Sequence, residues 1–392
     1  MEDAVARLYD TFPFPPDPIL EEAPPGYNWR WCWQSAYGFC TGGLAPNKDN
    51  PRILDAGCGS GVSTEYLAHL NPHAHIVAID ISRGTLEVAQ TRIRKTVPPY
   101  RSITFHQLSL FELEQIAGEF DLINSVGVIH HTPDPVKALQ CLAHKLAPGG
   151  IMHIFVYAHI GRWEIRLMQE AIELLGQGAG IPTTDLQRRV SLGRQIFASL
   201  PPDNRLVQRE QNRWALENQR DECFADMYLH PLEVNFTIDS LFPMIDQSGL
   251  EFAGFSNPTV WQLDKLLGSN PELMQYAQQL SPRQRYRLIE LLNTDIAHYE
   301  FFLYRPPLAH LPIDSDQALL NGIPLRQPCL QGWESQVLFD PDYQVVHLTD
   351  LEYEFMRQCD GNRSIQALCA EGNYDLGMVR GLLAKRLILI KF

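Results

Sequence analysis

The chain has 392 residues, of which 45% are hydrophobic and 20% charged, which excludes a disordered or fibrous protein and leaves room for two or three globular domains of ~150 residues each. The net charge of -14 argues against a nucleic-acid partner, because binding along that backbone depends on lysine and arginine. No segment reaches the ~18 consecutive apolar residues of a membrane span. The N-terminal segment MEDAVARLYD lacks the basic start and apolar run of a signal peptide, so we expect a cytoplasmic protein without a membrane span.

Residues 1–47 form an arm rich in proline and aromatic residues, with six prolines between Pro13 and Pro25. Its aromatic residues include Tyr9, Phe12, Phe14, Tyr27, Trp29, Trp31 and Trp33. Because proline fixes φ and lacks a backbone donor, the sequence predicts an irregular, ordered arm and no helix. The aromatic side chains must pack on something, either as a strap over the core or as a lid over a ligand pocket, and the sequence favours neither.

Residues 48–308 predict one α/β domain. Apolar runs such as RILDAG, HIVAIDI and FDLINSVG alternate with segments of helical spacing, which is typical of a parallel sheet with right-handed crossovers. Two later strands, LEFAGF and HYEFFLYR, are expected to close the sheet as an antiparallel edge. The prediction is a Rossmann-like, doubly wound, seven-stranded sheet with helical insertions at about 160–222 and 259–295.

The C-terminal part of the chain has a different composition. Residues 309–335 contain several prolines and are predicted to be a linker. Residues 336–392 are predicted to form a compact unit with a hairpin, helices and the final strand RLILIKF. The eight cysteines form no C-x-x-C pair and no cluster with histidine at zinc spacing, so we expect reduced thiols and no metal site.

A glycine-rich turn from Asp55 to Gly61 (DAGCGSG) directly follows the first strand and precedes a helix. Glycine adopts φ values that other residues resist, and it lets the backbone approach a ligand closely. Asp80 ends the next strand, at the spacing at which a carboxylate accepts hydrogen bonds from both hydroxyls of a ribose. The combination predicts a nucleoside site at the carboxyl edge of the sheet.

This D-x-G-C-G-x-G turn resembles the first-strand signature of class I S-adenosylmethionine-dependent methyltransferases. NAD-binding proteins carry a further glycine at the position that is Val62 here. The resemblance implies an enzyme with S-adenosylmethionine as cofactor, whose amino group Asp55 holds directly or through water and whose ribose Asp80 binds. The residues that we expect to bind the cofactor are Asp55, Gly57, Cys58, Gly59, Gly61, Asp80, Ile81, Ser109, Leu110 and Asn124.

The chain departs from that family after the third predicted strand, where an aspartate often accepts from the amino group of adenine. Ser109 stands at the matching place in HQLSLFE. A hydroxyl accepts one hydrogen bond and brings no charge, so we expect weaker adenine recognition there, or recognition shared with the backbone of Leu110.

The candidate catalytic residues follow the fourth and fifth strands, and they are Asn124, His130, His131 and Tyr157. Paired histidines before an x-x-D-P turn resemble many family members that act on small molecules and lipids. A neutral imidazole there could orient or deprotonate the acceptor, or it could only pack and hydrogen-bond beside the cofactor. Arg162 has similar alternatives, since it could hold an acceptor, or it could cap a helix or pair with a surface acid.

Three further segments carry weaker resemblances. Tyr9–Pro15 and Asp221–Pro231 look like segments of a large group of bacterial methyltransferases. The C-terminal unit resembles small winged-helix domains that capture peptides along a strand edge, through the short pattern of Glu352, Cys359–Gly361 and Arg363–Ser364. Dimerisation or packing is an equal alternative for that unit, whereas peptide capture would imply a protein acceptor.

The arm, sheet, insertions and C-terminal unit together are similar to cyanobacterial methyltransferases of phycobiliproteins. That resemblance implies a partner protein, a phycobiliprotein beta subunit, methylated on the side-chain amide nitrogen of an asparagine. Two alternatives stay open. One is methylation of a small molecule such as a quinone or lipid precursor, and the other is a non-catalytic binding protein that kept the cofactor fold.

Overall fold

The computed structural model describes residues 2–99 and 101–392, and its centre is a seven-stranded sheet. The strands are β1 (Arg52–Ala56), β2 (His75–Asp80), β3 (Ser102–Gln107), β4 (Phe120–Val126), β5 (Leu146–Tyr157), β6 (Glu251–Phe255) and β7 (His298–Tyr304). Their order in the sheet is β3-β2-β1-β4-β5-β7-β6. Strands β1 to β5 are parallel, and β7 runs antiparallel to both β5 and β6. The predicted Rossmann-like α/β sheet is therefore confirmed.

Helices cover both faces of this sheet, and further helices belong to the insertions and to the C-terminal unit. They are α1 (Glu2–Thr11), α2 (Trp33–Thr41), α3 (Val62–Leu70), α4 (Arg83–Thr96), α5 (Pro135–Lys145), α6 (Trp163–Gly178), α7 (Leu186–Ser199), α8 (Arg205–Arg213), α9 (Asp221–Tyr228), α10 (Ile238–Ser248), α11 (Asp264–Leu267), α12 (Pro271–Gln278), α13 (Pro282–Leu292), α14 (Asp316–Asn321), α15 (Asp350–Gln358), α16 (Ile365–Glu371) and α17 (Leu376–Ala384). Among the residues that the structure describes, no helix is long and apolar enough to cross a membrane.

Successive residues of a strand pack on opposite faces of the sheet, because side chains alternate along an extended chain. Leu54 packs with residues of α5 and α10 in one hydrophobic cluster. Its neighbour Ile53 packs with residues of α2 and α3 in a second cluster. The parallel strands are thus buried on both faces, which is why they read as continuous apolar runs in the sequence.

The arm differs from the sequence prediction, because it contains helices α1 and α2. Val5 and Leu8 are buried on α1 and Phe12 follows near its end, so an apolar face docks this helix on the domain. Within the described residues 13–25, neither helix nor strand forms, as the prolines indicate. Trp29 lies in the cluster on the sheet face that α2 covers.

Helices α6 to α8 and α11 to α13 lie where the sequence predicts helical insertions, and α9 carries the first insertion past its predicted end at about 222. The first insertion has a hydrophobic cluster of its own, in which Ile172 of α6 and Phe224 of α9 pack with Leu8 of α1. The arm and this insertion therefore form one layer over the carboxyl edge of the sheet.

The C-terminal unit begins before its predicted boundary. Its strands are β8 (Ile323–Arg326), β9 (Val337–Phe339), β10 (Val345–His347) and β11 (Ile388–Lys391). Residues 309–335 contain α14 and β8, and β8 pairs antiparallel with β11, so the linker prediction is wrong there. Backbone bridges join Leu44 to Ile390 and Leu325 to Asp360, which covers this strand pair on its outer sides.

Candidate active site

The glycine turn after β1 brings the backbone into contacts that only glycine allows. Gly57 has φ +79°, and a Cβ there would lie 2.3 Å from Val128 Cγ2. Gly59 has φ +53°, and a Cβ there would lie 2.5 Å from the carbonyl oxygen of Phe14 in the arm. A side chain at either position would be strained and would displace a neighbour. The turn is thus a bare stretch of backbone with the arm packed against it.

Asp80 stands at the end of β2 beside this turn. Its carboxylate accepts from Gly59 N at 2.9 Å and from Ser82 N at 2.9 Å. Burial raises the pKa of Asp80 to about 6, against the opposing effect of these backbone donors. Further hydrogen-bond donors from a ligand would lower the cost of keeping this carboxylate ionised in the interior.

A cavity of about 560 Å³ lies beside the glycine turn at the carboxyl edge of the sheet. The predicted site residues that line it are Gly57, Cys58, Gly59, Asp80, Ile81, Leu110, His131 and Tyr157. Those that the structure places outside its lining are Asp55, Gly61, Ser109, Asn124 and His130. The arm contributes Tyr9, Phe14 and Trp31 to the wall, so it borders the cavity as well as packing on the core.

Asp55 and Asn124 form a buried network behind the cavity. Asp55 accepts from Ser63 Oγ at 2.7 Å, from Thr64 Oγ1 at 2.6 Å and from Asn124 Nδ2 at 2.8 Å. Asn124 Oδ1 in turn accepts from Trp31 Nε1 at 2.9 Å. The polar atoms of Asn124 are thus engaged by protein groups, and Ser63 and Trp31 are the members of this network that reach the cavity.

Gly61 and Ser109 have structural contacts where the sequence predicts cofactor contacts. A Cβ on Gly61 would lie 2.9 Å from Ala89 Cα, so the glycine lets α3 approach α4. Ser109 Oγ accepts from Phe111 N at 3.2 Å and donates to Glu2 Oε1 at 2.7 Å. Its hydroxyl therefore caps the following turn and holds the N-terminal helix.

The two paired histidines lie in different environments. His130 is fully buried, and neither ring nitrogen has a hydrogen-bond partner among the described residues. His131 lines the cavity and donates from Nδ1 to the carbonyl oxygen of Leu232 at 2.8 Å. Burial lowers the pKa of His131 to about 4, so its ring is neutral at pH 7 and carries a lone pair on Nε2.

Tyr157 belongs to a polar cluster centred on Asp226 of α9. Tyr9 Oη donates to Asp226 Oδ1 at 2.8 Å, and Tyr157 Oη donates to Asp226 Oδ2 at 3.5 Å. Burial raises the pKa of Asp226 to about 6. Arg162 lines the cavity, with its guanidinium 3.4 Å from the centroid of the Tyr157 ring. It pairs with Glu233 at 3.0 Å, and both side chains are buried, so this partner is not the surface acid of the sequence prediction.

Sequence reasoning did not assign Tyr9, Asp226 or Asn218 to the cavity, although all three line it. Tyr9 and Asp226 belong to the two segments that resemble bacterial methyltransferases, and that shared resemblance was the available signal. No pattern in the sequence distinguishes Asn218, which lies in a short turn of the first insertion.

Comparisons with known proteins identify the domain around this cavity. A family model described as Methyltransferase domain matches residues 54–152, which include the glycine turn, Asp80 and both histidines. The chain is 54% identical over 392 residues to uncharacterized protein syc1184_c of Synechococcus sp., covering 99% of this chain and 93% of the relative. It is 69% identical over 93 residues to uncharacterized phycocyanin operon protein W of Pseudanabaena tenuis, covering 24% of this chain and 87% of the relative.

Among solved structures, the fold is similar to that of PKMT2 from Rickettsia typhi in complex with AdoHcy. The TM-score is 0.59 at 15% identity, over 94% of this chain and 76% of that chain. The cofactor is S-adenosylmethionine, and the bare glycine backbone, the Asp80 carboxylate and the cavity suit a nucleoside with an amino-acid tail. The protein therefore belongs to the family of its Synechococcus relative, and it is an S-adenosylmethionine-dependent methyltransferase of Rossmann-like fold.

Proposed function

We propose that the methyl acceptor is a protein, and that the methyl group goes to the side-chain amide nitrogen of an asparagine on a phycobiliprotein beta subunit. The relative named as a phycocyanin operon protein supports the choice of a phycobiliprotein, since this chain matches most of its length. The polar groups that the first insertion brings to the cavity support the choice of an amide.

The observation that carries the proposal is a buried acceptor without a partner in the cavity wall. Asn218 lines the cavity at 2% exposure, and its Oδ1 has no hydrogen-bond partner among the described residues. Its Nδ2 donates to Glu210 Oε1 at 2.9 Å, so turning the amide over would set two acceptors against each other. Leaving such an acceptor unpaired costs free energy, and an N–H of a substrate amide would satisfy it.

The same wall offers a donor for the carbonyl of an amide, and it reaches the protein surface. Arg213 lines the cavity, with its guanidinium 4.7 Å from the ring centroid of Trp214. Glu217, which lines the cavity next to Asn218, is exposed, so the wall continues to the surface. An acceptor and a cation in a wall that reaches the surface suit a side-chain amide presented by a protein.

S-adenosylmethionine supplies a methyl group on a sulfonium centre, which is a good leaving group. An amide nitrogen is a weak nucleophile, so the protein must align it and remove its proton. We assign proton removal to Asp226, which lines the cavity and, with a pKa of about 6, is mostly ionised at neutral pH. Tyr9 and Tyr157 each donate a hydrogen bond to one carboxylate oxygen of Asp226 and so hold the group in place. The proton of the amide N–H passes to one of these two carboxylate oxygens.

Methylation of a small molecule such as a quinone or lipid precursor is the second candidate function. The apolar part of the lining favours it, since Val5, Trp31, Phe155 and Met227 all border the cavity. An apolar pocket with a few convergent polar groups is the usual form of a small-molecule site.

Radiolabelled S-adenosylmethionine and a phycobiliprotein with an unmethylated beta subunit distinguish the two candidates. We expect label in the beta subunit, and mass spectrometry of its peptides should place one added methylene on an asparagine. The control is Asp80→Ala, which keeps the acceptor wall but should lose cofactor binding. If host lysate is labelled only in its solvent extract while the beta subunit stays unlabelled, the proposal of a protein acceptor is wrong. Methylation of a small molecule would then be favoured.

A further inference from the structure

Helix α1 is fastened across one end of the cavity by hydrogen bonds near both of its termini. Glu2 Oε1 accepts from Ser109 Oγ at 2.7 Å. Asp10 Oδ1 accepts from Ser82 Oγ at 2.6 Å and from Gly84 N at 2.9 Å. The helix therefore bridges the segments that follow β2 and β3, which border the same part of the cavity.

Glu2 brings a carboxylate to a part of the wall whose neighbouring residues are apolar. Ile81 follows β2, Leu108 and Leu110 follow β3, and all three line the cavity together with Glu2. Leu108 and Leu110 are buried. A flat, apolar group would therefore fit between these side chains, with a charged acceptor at its edge.

Ser109 lies outside the lining of the cavity, and its hydroxyl is engaged by two protein groups. Its hydroxyl accepts from Phe111 N at 3.2 Å and donates its proton to Glu2 Oε1. The donated bond fixes one oxygen of the Glu2 carboxylate and leaves Oε2 for a second donor. Ser109 thus acts through Glu2, as a positioning residue.

Adenine is the flat aromatic part of S-adenosylmethionine, and its 6-amino group is a hydrogen-bond donor on the edge of the ring. We infer that Glu2 accepts the hydrogen bond from this amino group, so that helix α1 takes part in recognition of the base of the cofactor. The inference concerns the cofactor and does not depend on which acceptor the enzyme methylates.

Glu2 and Tyr9 both lie on α1, so this helix connects the proposed adenine site with the part of the cavity that contains Asp226. Tyr9 lies on the same helix and donates to Asp226 at 2.8 Å. Recognition of adenine by Glu2 therefore favours the docked position of α1, in which Tyr9 also holds the carboxylate that we assign to proton removal.

The test compares binding of S-adenosylhomocysteine and S-inosylhomocysteine by calorimetry, since the second nucleoside has a carbonyl in place of the 6-amino group. Wild-type enzyme should bind the adenine nucleoside more tightly. Glu2→Ala should weaken binding of the adenine nucleoside by about tenfold, as expected for loss of a charged hydrogen bond, and should leave the inosine nucleoside nearly unchanged. Glu2→Gln should bind the inosine nucleoside more tightly than wild type, because its amide N–H₂ can donate to the carbonyl.

Asp3→Ala is the matched control, since Asp3 is an exposed acid in the same helical turn. It should change neither affinity. If Glu2→Ala weakens the binding of both nucleosides equally, Glu2 only docks the helix. If it changes the affinity for neither, Glu2 does not contact the base. Either result overturns the inference, and neither bears on the acceptor.

Discussion

Three aspartates at or behind the cavity, of which Asp55 and Asp226 are buried and Asp80 is half-buried, have different roles because their surroundings differ. Asp55 accepts from three protein donors, so it organises the turn from behind the cavity. Asp80 and Asp226 line the cavity, and burial raises the pKa of each to about 6. Asp80 is held by backbone N–H groups and Asp226 by tyrosine hydroxyls, which suits the first to binding and the second to proton transfer.

The raised pKa of Asp226 predicts how methyl transfer depends on pH. Below about pH 6 the carboxyl is protonated and accepts no proton, so kcat at saturating cofactor should rise through a midpoint near pH 6. Asp226→Asn should lower kcat by about 100-fold and abolish this midpoint. Saturating S-adenosylmethionine is needed because Asp80 titrates in the same range. A variant that keeps the wild-type midpoint would assign proton transfer to another group.

At the scale of single residues, the sequence predicts which residues lie at the ligand-binding edge of the sheet better than it predicts where their side chains point. Asp80 was predictable because the end of a parallel strand lies at the ligand-binding edge. Asn124 and His130 lie at the same edge, yet both turn into the interior, and chain position alone does not reveal this. Chain position alone does not place Asp226 at the cavity either, because α9 belongs to an insertion whose approach to the sheet depends on tertiary packing.

At the scale of elements, the strands and helices of the sheet domain were predictable and the arm was less so. Buried parallel strands give apolar runs that are read directly. Helix α1 was missed although Val5 and Leu8 lie on one face, because the prolines that follow it dominate the composition of the arm. Strand β8 was missed because it contains Pro324 and pairs with β11, which lies more than 50 residues further along the chain.

Because α3 lies close to α4 at Gly61, replacing this glycine by alanine should destabilise the protein more than its left-handed backbone alone would explain. Gly61→Ala would place a methyl group 2.9 Å from Ala89 Cα at φ +85°. Gly180→Ala is the matched control, because Gly180 has φ +64° with nothing within 4 Å. Urea unfolding should show a loss of about 1 kcal/mol for the control, from the left-handed backbone, and about 3 kcal/mol for Gly61→Ala, from the added overlap. Equal losses would mean that α3 and α4 adjust without cost.

At the scale of the whole molecule, the arm is the layer that joins the methyltransferase domain to the C-terminal unit. Tyr27 stacks on Tyr343 of that unit with ring centroids 4.4 Å apart. Ala45 N donates to Ile390 O at 2.8 Å, and Ile390 N donates to Gly43 O at 2.8 Å, so the arm continues the sheet of the unit. The C-terminal unit has its own hydrophobic cluster, and Leu44 of the arm packs against it. We therefore expect the position of the arm, including the residues that border the cavity, to depend on a unit outside the matched methyltransferase region.

Asp342 is the contact at which this dependence can be tested. It accepts from Trp29 Nε1 at 2.9 Å and also pairs with Arg386, whose guanidinium lies 4.8 Å from the Trp29 ring centroid. Asp342→Ala removes both bonds and leaves a buried indole N–H unpaired, which should cost about 2 kcal/mol of stability. Asp314→Ala, at an exposed acid of the same unit, is the control.

Hydrogen–deuterium exchange measures how far the effect of Asp342→Ala spreads. We expect faster exchange in α2 and β11 than in wild type, because the arm and the C-terminal unit should loosen together when their shared contact is lost. The strands β1 to β5 should exchange as in wild type, because their amides are bonded to neighbouring strands, although Trp29 packs in the cluster on one face of the sheet. Faster exchange confined to the β9–β10 turn would show that the arm holds its place without the C-terminal unit, and the whole-molecule coupling would then be wrong.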